Sequence, residues 1–101
     1  MGLSTNVSEE TKELTISISG RFDFNLHRNF RDAYEKCAGS DYKVTVDLSG
    51  TEYMDSSALG MLLVLRDRCG GDKADIQICN CSADIRKIFA ISNMDKMFRL
   101  V

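Results

Sequence analysis

Apolar and polar residues alternate with period two in three stretches of the chain. Leu14, Ile16 and Ile18 stand against Thr15, Ser17 and Ser19, up to Gly20; Tyr42, Val44, Val46 and Leu48 stand against Lys43, Thr45 and Asp47; Ile76 and Ile78 stand against Gln77 and Cys79. Alternation of this kind predicts strands with one buried face. A weaker alternation of Leu3, Thr5 and Val7 predicts a short edge strand, followed by a charged turn over residues 9–13, and the run from Met97 to Val101 predicts a last strand. Arg21 to Phe24 is expected as a connection, and the residues after Leu48 as a polar turn.

Helical spacing fills the gaps between strands. Leu26, Phe30, Ala33, Tyr34 and Cys37 recur on one side of a first helix, with Asn25 as its N-cap and Gly39 as its stop. From about Ser57 to Cys69 a second helix carries Leu59, Met61, Leu62, Leu63, Val64 and Leu65, apolar almost all round, which predicts cover on more than one side before Gly70-Gly71 ends it. Ser82 is placed to cap a third, with Ile85, Ile88 and Phe89 inside. The order strand, strand, helix, strand, helix, strand, helix, strand predicts an α/β domain with a mostly parallel, mixed sheet of about five strands. Because the strands alternate rather than being apolar throughout, and because right-handed crossovers laid down in one direction put every helix on the same side, helices are expected on one face only.

Composition narrows the function classes. A chain of 101 residues is expected as one domain, 1–101, and 44% hydrophobic with 28% charged residues is ordinary for a globular protein. A net charge of -2 with scattered basic residues gives no footprint for nucleic acid. The longest apolar run, around residues 58–65, is too short for a membrane span, and the N-terminus lacks the basic start and apolar block of a secretory signal, so a cytoplasmic monomer with no membrane role is expected. Cys37, Cys69, Cys79 and Cys81 show no metal-site spacing and read as small buried hydrophobes in a reducing compartment. No nucleotide-binding loop is present. His27, the single histidine, reads as a solvated residue of the first helix rather than part of a Ser-His-Asp set. Asp23, Asp47 and Asp55 could in principle share Mg²⁺ but read first as caps and turn formers, and Met94 and Met97 near Phe98 read as core. No cofactor or metal is expected.

The stretch Asp55-Ser56-Ser57 stands where a strand hands over to the second helix, and a hydroxyl there can cap the helix or carry an anion. One cap needs one side chain, and three candidates stand in line. If Ser57 caps, Ser56 is free to project and Asp55 is left for backbone N–H groups or a partner.

Met54-Asp55-Ser56-Ser57-Ala58-Leu59-Gly60 resembles the Met-Asp-Ser-Ser-Gly-Leu-Gly signature of the STAS domain family, specifically the bacterial anti-sigma factor antagonists. The resemblance extends to the turn from Gly20 to Phe24 with Asp23, to Gly70-Gly71 and to the run from Ser82 to Met94, and so spans nearly the whole chain in order. It implies a single STAS domain without enzymatic activity, phosphorylated at Ser56 by an anti-sigma factor that is a serine kinase, or by a related switch kinase, and restored by a PP2C-type phosphatase. It further implies that the unphosphorylated form binds the anti-sigma factor through a surface including Asp23, Asp55, Ser56, Ser57, Ala58 and Leu59, and so regulates transcription. Ala58 departs from the family's frequent glycine, and the last helix that many relatives carry after this strand is not expected within residues 1–101. Two other readings stay open: a STAS scaffold or regulator of another partner, such as a signalling enzyme, with Ser56 a mere cap, and a thiol redox protein using Cys79 and Cys81.

Overall fold

The computed structural model describes residues 2–36 and 41–101; Cys37 and Gly39, expected to close the first helix, lie outside the described residues. Five strands form one sheet in the order of the chain: β1 (Leu3–Ser8), β2 (Glu13–Phe22), β3 (Lys43–Met54), β4 (Ile76–Cys79) and β5 (Arg99–Leu100). β1 runs antiparallel to β2, and the other pairs are parallel. The connections carry α1 (His27–Glu35), α2 (Ser56–Arg68) and α3 (Ala83–Ile91).

The alternation read from the sequence sets the layers. Leu14, Ile16 and Ile18 of β2, Val44, Val46 and Leu48 of β3, and Ile76 and Ile78 of β4 are buried beneath Phe30 and Tyr34 of α1, Ala58, Met61, Leu62 and Leu65 of α2, and Ile85 and Phe89 of α3. Thr15, Ser17, Thr45, Asp47, Gln77 and Cys79 point to the other face, which stays partly open to water. Helices therefore cover one face, as the sequence predicts.

The strands run longer than the pattern suggests. Gly20 does not end β2 and residues 49–54 are not a turn: β3 continues to Met54, pairing Gly20 with Thr51, Arg21 with Tyr53 and Phe22 with Met54 across two register shifts. Bulges use the same Ser, Gly and Thr that turns use, which is why the segment reads as a turn. At the first shift a Cβ on Gly50 would lie 3.0 Å from Ser19 Cβ, so a side chain there would push the strands apart by a few tenths of an ångström, and the Thr51 hydroxyl donates to the Ile18 carbonyl at 2.8 Å to close the irregular pairing. Gly20 occupies φ +76°, open to glycine at little cost. The bulged ends of β2 and β3 carry Arg21 and Tyr53 past the regular sheet toward the start of α2.

Three expectations are corrected. α2 is covered on one side only: Leu63 is 40% and Val64 50% exposed. Met97 is exposed, while Met94 and Phe98 are core. Cys81 lies beyond β4, past Asn80 at positive φ, so it does not alternate with Cys79 along a strand.

Candidate functional site

The N-terminus of α2 is capped by Asp55, not by Ser57. Asp55 is extended, at φ -118° and ψ -174°, and its Oδ1 accepts from the Ser57 N–H at 3.1 Å, the Ala58 N–H at 3.2 Å and the Ser57 hydroxyl at 2.6 Å. One carboxylate oxygen thus satisfies two of the backbone donors that a helix start leaves without intrahelical partners, and its charge sits at the positive end of the helix dipole. The Ser57 hydroxyl bond above all, with the N–H groups of Ala58 and Ser57 adding to it and partial burial opposing, holds the Asp55 carboxyl below the usual carboxylate range. Asp55 is therefore a fixed anion at neutral pH.

Ser56 is left out of this arrangement. It is the first residue of α2, exposed, and its hydroxyl engages none of the described residues. Ser57, half-buried with its hydroxyl held by Asp55, is not available in the same way. Ala58 is fully buried, backbone and side chain alike, so the docking role expected of it has no accessible surface to act through. Leu59 is half-buried against the core.

Asp23 stands at the end of β2. It caps the short 3-10 turn Phe24–Leu26 that leads into α1, accepting from the Asn25 N–H at 3.0 Å, and pairs with Arg21 at 3.4 Å. The cap expected from Asn25 is thus supplied by Asp23, because Asp23 and not Asn25 has the extended backbone that a cap requires. Arg21 lies 4.1 Å over the Tyr53 ring, so a cation, an aromatic face and the Asp23 carboxylate meet at the strand ends. Arg21, Tyr53 and the exposed Phe24 escaped the sequence reading. Continuing the alternation through the glycines would have been the signal for the first two.

The other candidates resolve as local structure. Asp47 accepts from the Asn80 side chain at 3.1 Å and the Ser49 N–H at 3.0 Å, and these bonds, Asn80 first, lower its pKa. Asp23, Asp47 and Asp55 are each engaged as caps or turn formers, and among the described residues no cluster of three potential ligands could hold a metal. His27 stacks on Phe24 with ring centroids 4.7 Å apart. Burial pushes the Cys79 thiol up, with Asp47 adding to it, and burial likewise raises Cys81. Both disfavour the thiolate that redox chemistry needs.

Between α1 and α2 an apolar groove of about 350 Å³ opens beside this site, lined by Phe24, Phe30, Tyr34, Gly60, Met61 and Val64, with Ser57 at its upper end. Among the described residues, no helix is long and apolar enough to cross a membrane.

A profile of the family described as "Mlab, STAS domain" matches residues 5–101. A STAS-domain containing protein of Pseudomonas aeruginosa (strain UCBPP-PA14) is 51% identical over 100 residues, 99% of each chain. In three dimensions the chain is similar to an anti-sigma factor antagonist from Mycobacterium paratuberculosis, with a TM-score of 0.77 at 20% identity over 97% of this chain and 84% of the other. It is also similar to the anti-sigma factor antagonist SpoIIAA in its unphosphorylated form, with a TM-score of 0.71 at 16% identity over 88% and 82%. At these identities the structures speak for the fold, and the sequence matches speak for the family. An ordered run of strands and helices, a helix start that keeps one serine free, and matches over nearly the whole length agree: the chain belongs to the STAS domain family.

Proposed function

We propose that the chain is an anti-sigma factor antagonist, a cytoplasmic protein-interaction module switched at Ser56 and without catalytic activity of its own. Unphosphorylated, it docks on an anti-sigma factor through the surface around Asp23, Asp55, Ser56, Ser57 and Leu59, which releases the sigma factor. A serine kinase, the anti-sigma factor itself or a related switch kinase, turns it off by phosphorylating Ser56, and a PP2C-type phosphatase turns it on again.

The observation that carries this reading is the exposed Ser56 hydroxyl, left without a partner among the described residues because Asp55 caps the helix. The fold likeness to SpoIIAA, described as unphosphorylated in one structure, agrees with a switch of this kind. Phosphorylation adds about -1.5 to -2 charges. The phosphate would stand at the N-terminus of α2, which tolerates an anion, so the fold need not change. It would also stand next to the fixed negative charge of Asp55 on a surface meant to be covered. Burying that dianion without new cations from the partner is costly, and a loss of about 3 kcal/mol lowers affinity by roughly two orders of magnitude.

The test is titration calorimetry of wild type, Ser56→Ala and Ser56→Asp against each purified anti-sigma factor of the source organism, with intact-mass mapping of the protein from its native host. Wild type and Ser56→Ala should bind one of them alike, Ser56→Asp should bind it about a hundredfold more weakly, and an added phosphate should map to Ser56. Equal binding by all three would end the switch. A second reading, a regulator of another signalling partner, is kept open because the 51%-identical relative is described only as a STAS-domain containing protein. Failure to bind any anti-sigma factor would favour it.

A further inference from the structure

We propose that the groove between α1 and α2 seats an amphipathic helix of the protein partner, whose backbone passes closest over Gly60 and whose carboxylates face Arg31 and His27. This inference rests on the docking reading above and extends it from the Ser56 hydroxyl down the length of α2.

Gly60 is the observation that points outside the chain. Apart from proline, glycine is the least favourable residue for a helix interior. Among the described residues no packing contact or backbone conformation requires it, since a Cβ placed on Gly60 meets nothing beyond its own helix turn within 4 Å and its φ is not positive. The open space above it is the floor of the apolar groove. A glycine that the fold does not need, under a vacant apolar channel, fits a backbone arriving from elsewhere, because removing the side chain lets two helices cross at short range.

The rim agrees with a helical visitor of acidic character. Phe24 is 65% exposed and Val64 half-exposed, giving apolar anchors spaced along the channel. Besides the buried Tyr34 phenol, the ionisable groups lining the groove are His27 and Arg31, with no carboxylate among the lining residues. Arg31 reaches Glu35 only at 3.9 Å, with both side chains about half exposed, a pairing that a partner carboxylate can replace. Because Ser57 closes the upper end of the groove, one rigid helix can fill the channel and end beside Ser56. This would explain how a charge at the hydroxyl reaches a much larger contact.

The test uses the full chain and the anti-sigma factor that binds Ser56→Ala in the calorimetry above. Gly60→Leu, which fills the channel from its floor, should lower affinity at least tenfold while the circular dichroism spectrum and melting temperature hold. Arg31→Glu, which leaves the channel open, should lower affinity about threefold to tenfold and flatten its salt dependence. Binding of Gly60→Leu and Arg31→Glu at wild-type strength, with Ser56→Asp still weakened, would overturn the groove and leave the switch standing. If wild type binds no anti-sigma factor at all, the functional reading and the groove fall together. A wild-type dimer in sedimentation that Gly60→Leu dissolves would also overturn the proposal, because the occupant would then be a second copy.

Discussion

Two helices of this domain begin in the same way and put a serine to opposite uses. At α3 the serine is the cap: Ser82 is extended, at φ -67° and ψ 166°, and its Oγ accepts from the Ile85 N–H at 3.2 Å. At α2 the cap is the residue before the serine, Asp55, which leaves Ser56 in the first turn with no partner among the described residues. What decides the matter is which residue takes the extended backbone. In α3 that is Ser82 itself, preceded by Cys81, which has no oxygen to offer; in α2 it is a carboxylate that also draws in the Ser57 hydroxyl. A hydroxyl becomes available for chemistry when its neighbour has taken over the structural task.

If that division is real, removing each cap should cost stability, and removing Ser56 should not. Asp55→Ala is expected to be the most damaging of the set, because one oxygen loses three hydrogen bonds and the helix start loses its charge. Thermal melting should place this variant below every other one. The loss should depend on pH with a defined sign. The folded Asp55 pKa lies below its ordinary value, so its contribution is full above that value and fades as pH falls through the lowered one. The stability gap between wild type and Asp55→Asn should accordingly stay constant down to about pH 4.5 and close below about pH 4. A gap that widened in acid would contradict the carboxylate's role.

Ser82→Ala comes next, with an expected loss of about 1 kcal/mol, a drop of about 5 °C in Tm for a domain of this size. Close to it in size and opposite in sign, Gly60→Ala should stabilise the fold by roughly 0.8 kcal/mol, since the added methyl meets nothing inside the chain. Chemical denaturation of the two variants measures both, and a destabilised Gly60→Ala would mean that the glycine serves packing after all.

These features differ in how far the sequence discloses them. Strand order, helix order and one-sided cover were legible because period two and period 3.6 are written into Leu14 to Ile18, Val44 to Leu48 and the α1 stripe, and because Ser82 is both the obvious cap and the actual one. The bulged end of β3 was not, since Ser49, Gly50 and Thr51 serve a turn and a bulge equally well. Nor was the open side of α2. Leu63 and Val64 look like core by residue type, and only the packed structure leaves them facing outward beside the groove. The Asp55-Ser56-Ser57 segment was legible as a place and not as an assignment: composition offers three cap candidates, and backbone dihedrals choose among them.

The smallest effect sharpens the comparison most. Ser56→Ala removes a hydroxyl that is exposed and bonded to nothing described, at a helix position where alanine is at least as well accommodated, so its stability should stay within about 0.5 kcal/mol of wild type. Ser82→Ala makes the same chemical change one position earlier, at the cap instead of in the first turn, and should cost about twice that or more. The pair therefore forms a matched test: identical atoms are deleted, from a cap oxygen that accepts a backbone N–H in one helix and from a first-turn oxygen with no partner among the described residues in the other. Melting curves of the two variants recorded side by side give the answer. Should Ser56→Ala fall as far as Ser82→Ala, Ser56 would be holding the helix start together. A phosphate there would then loosen α2 itself, and the switch would work by unfolding a helix turn rather than by charging a surface that keeps its shape.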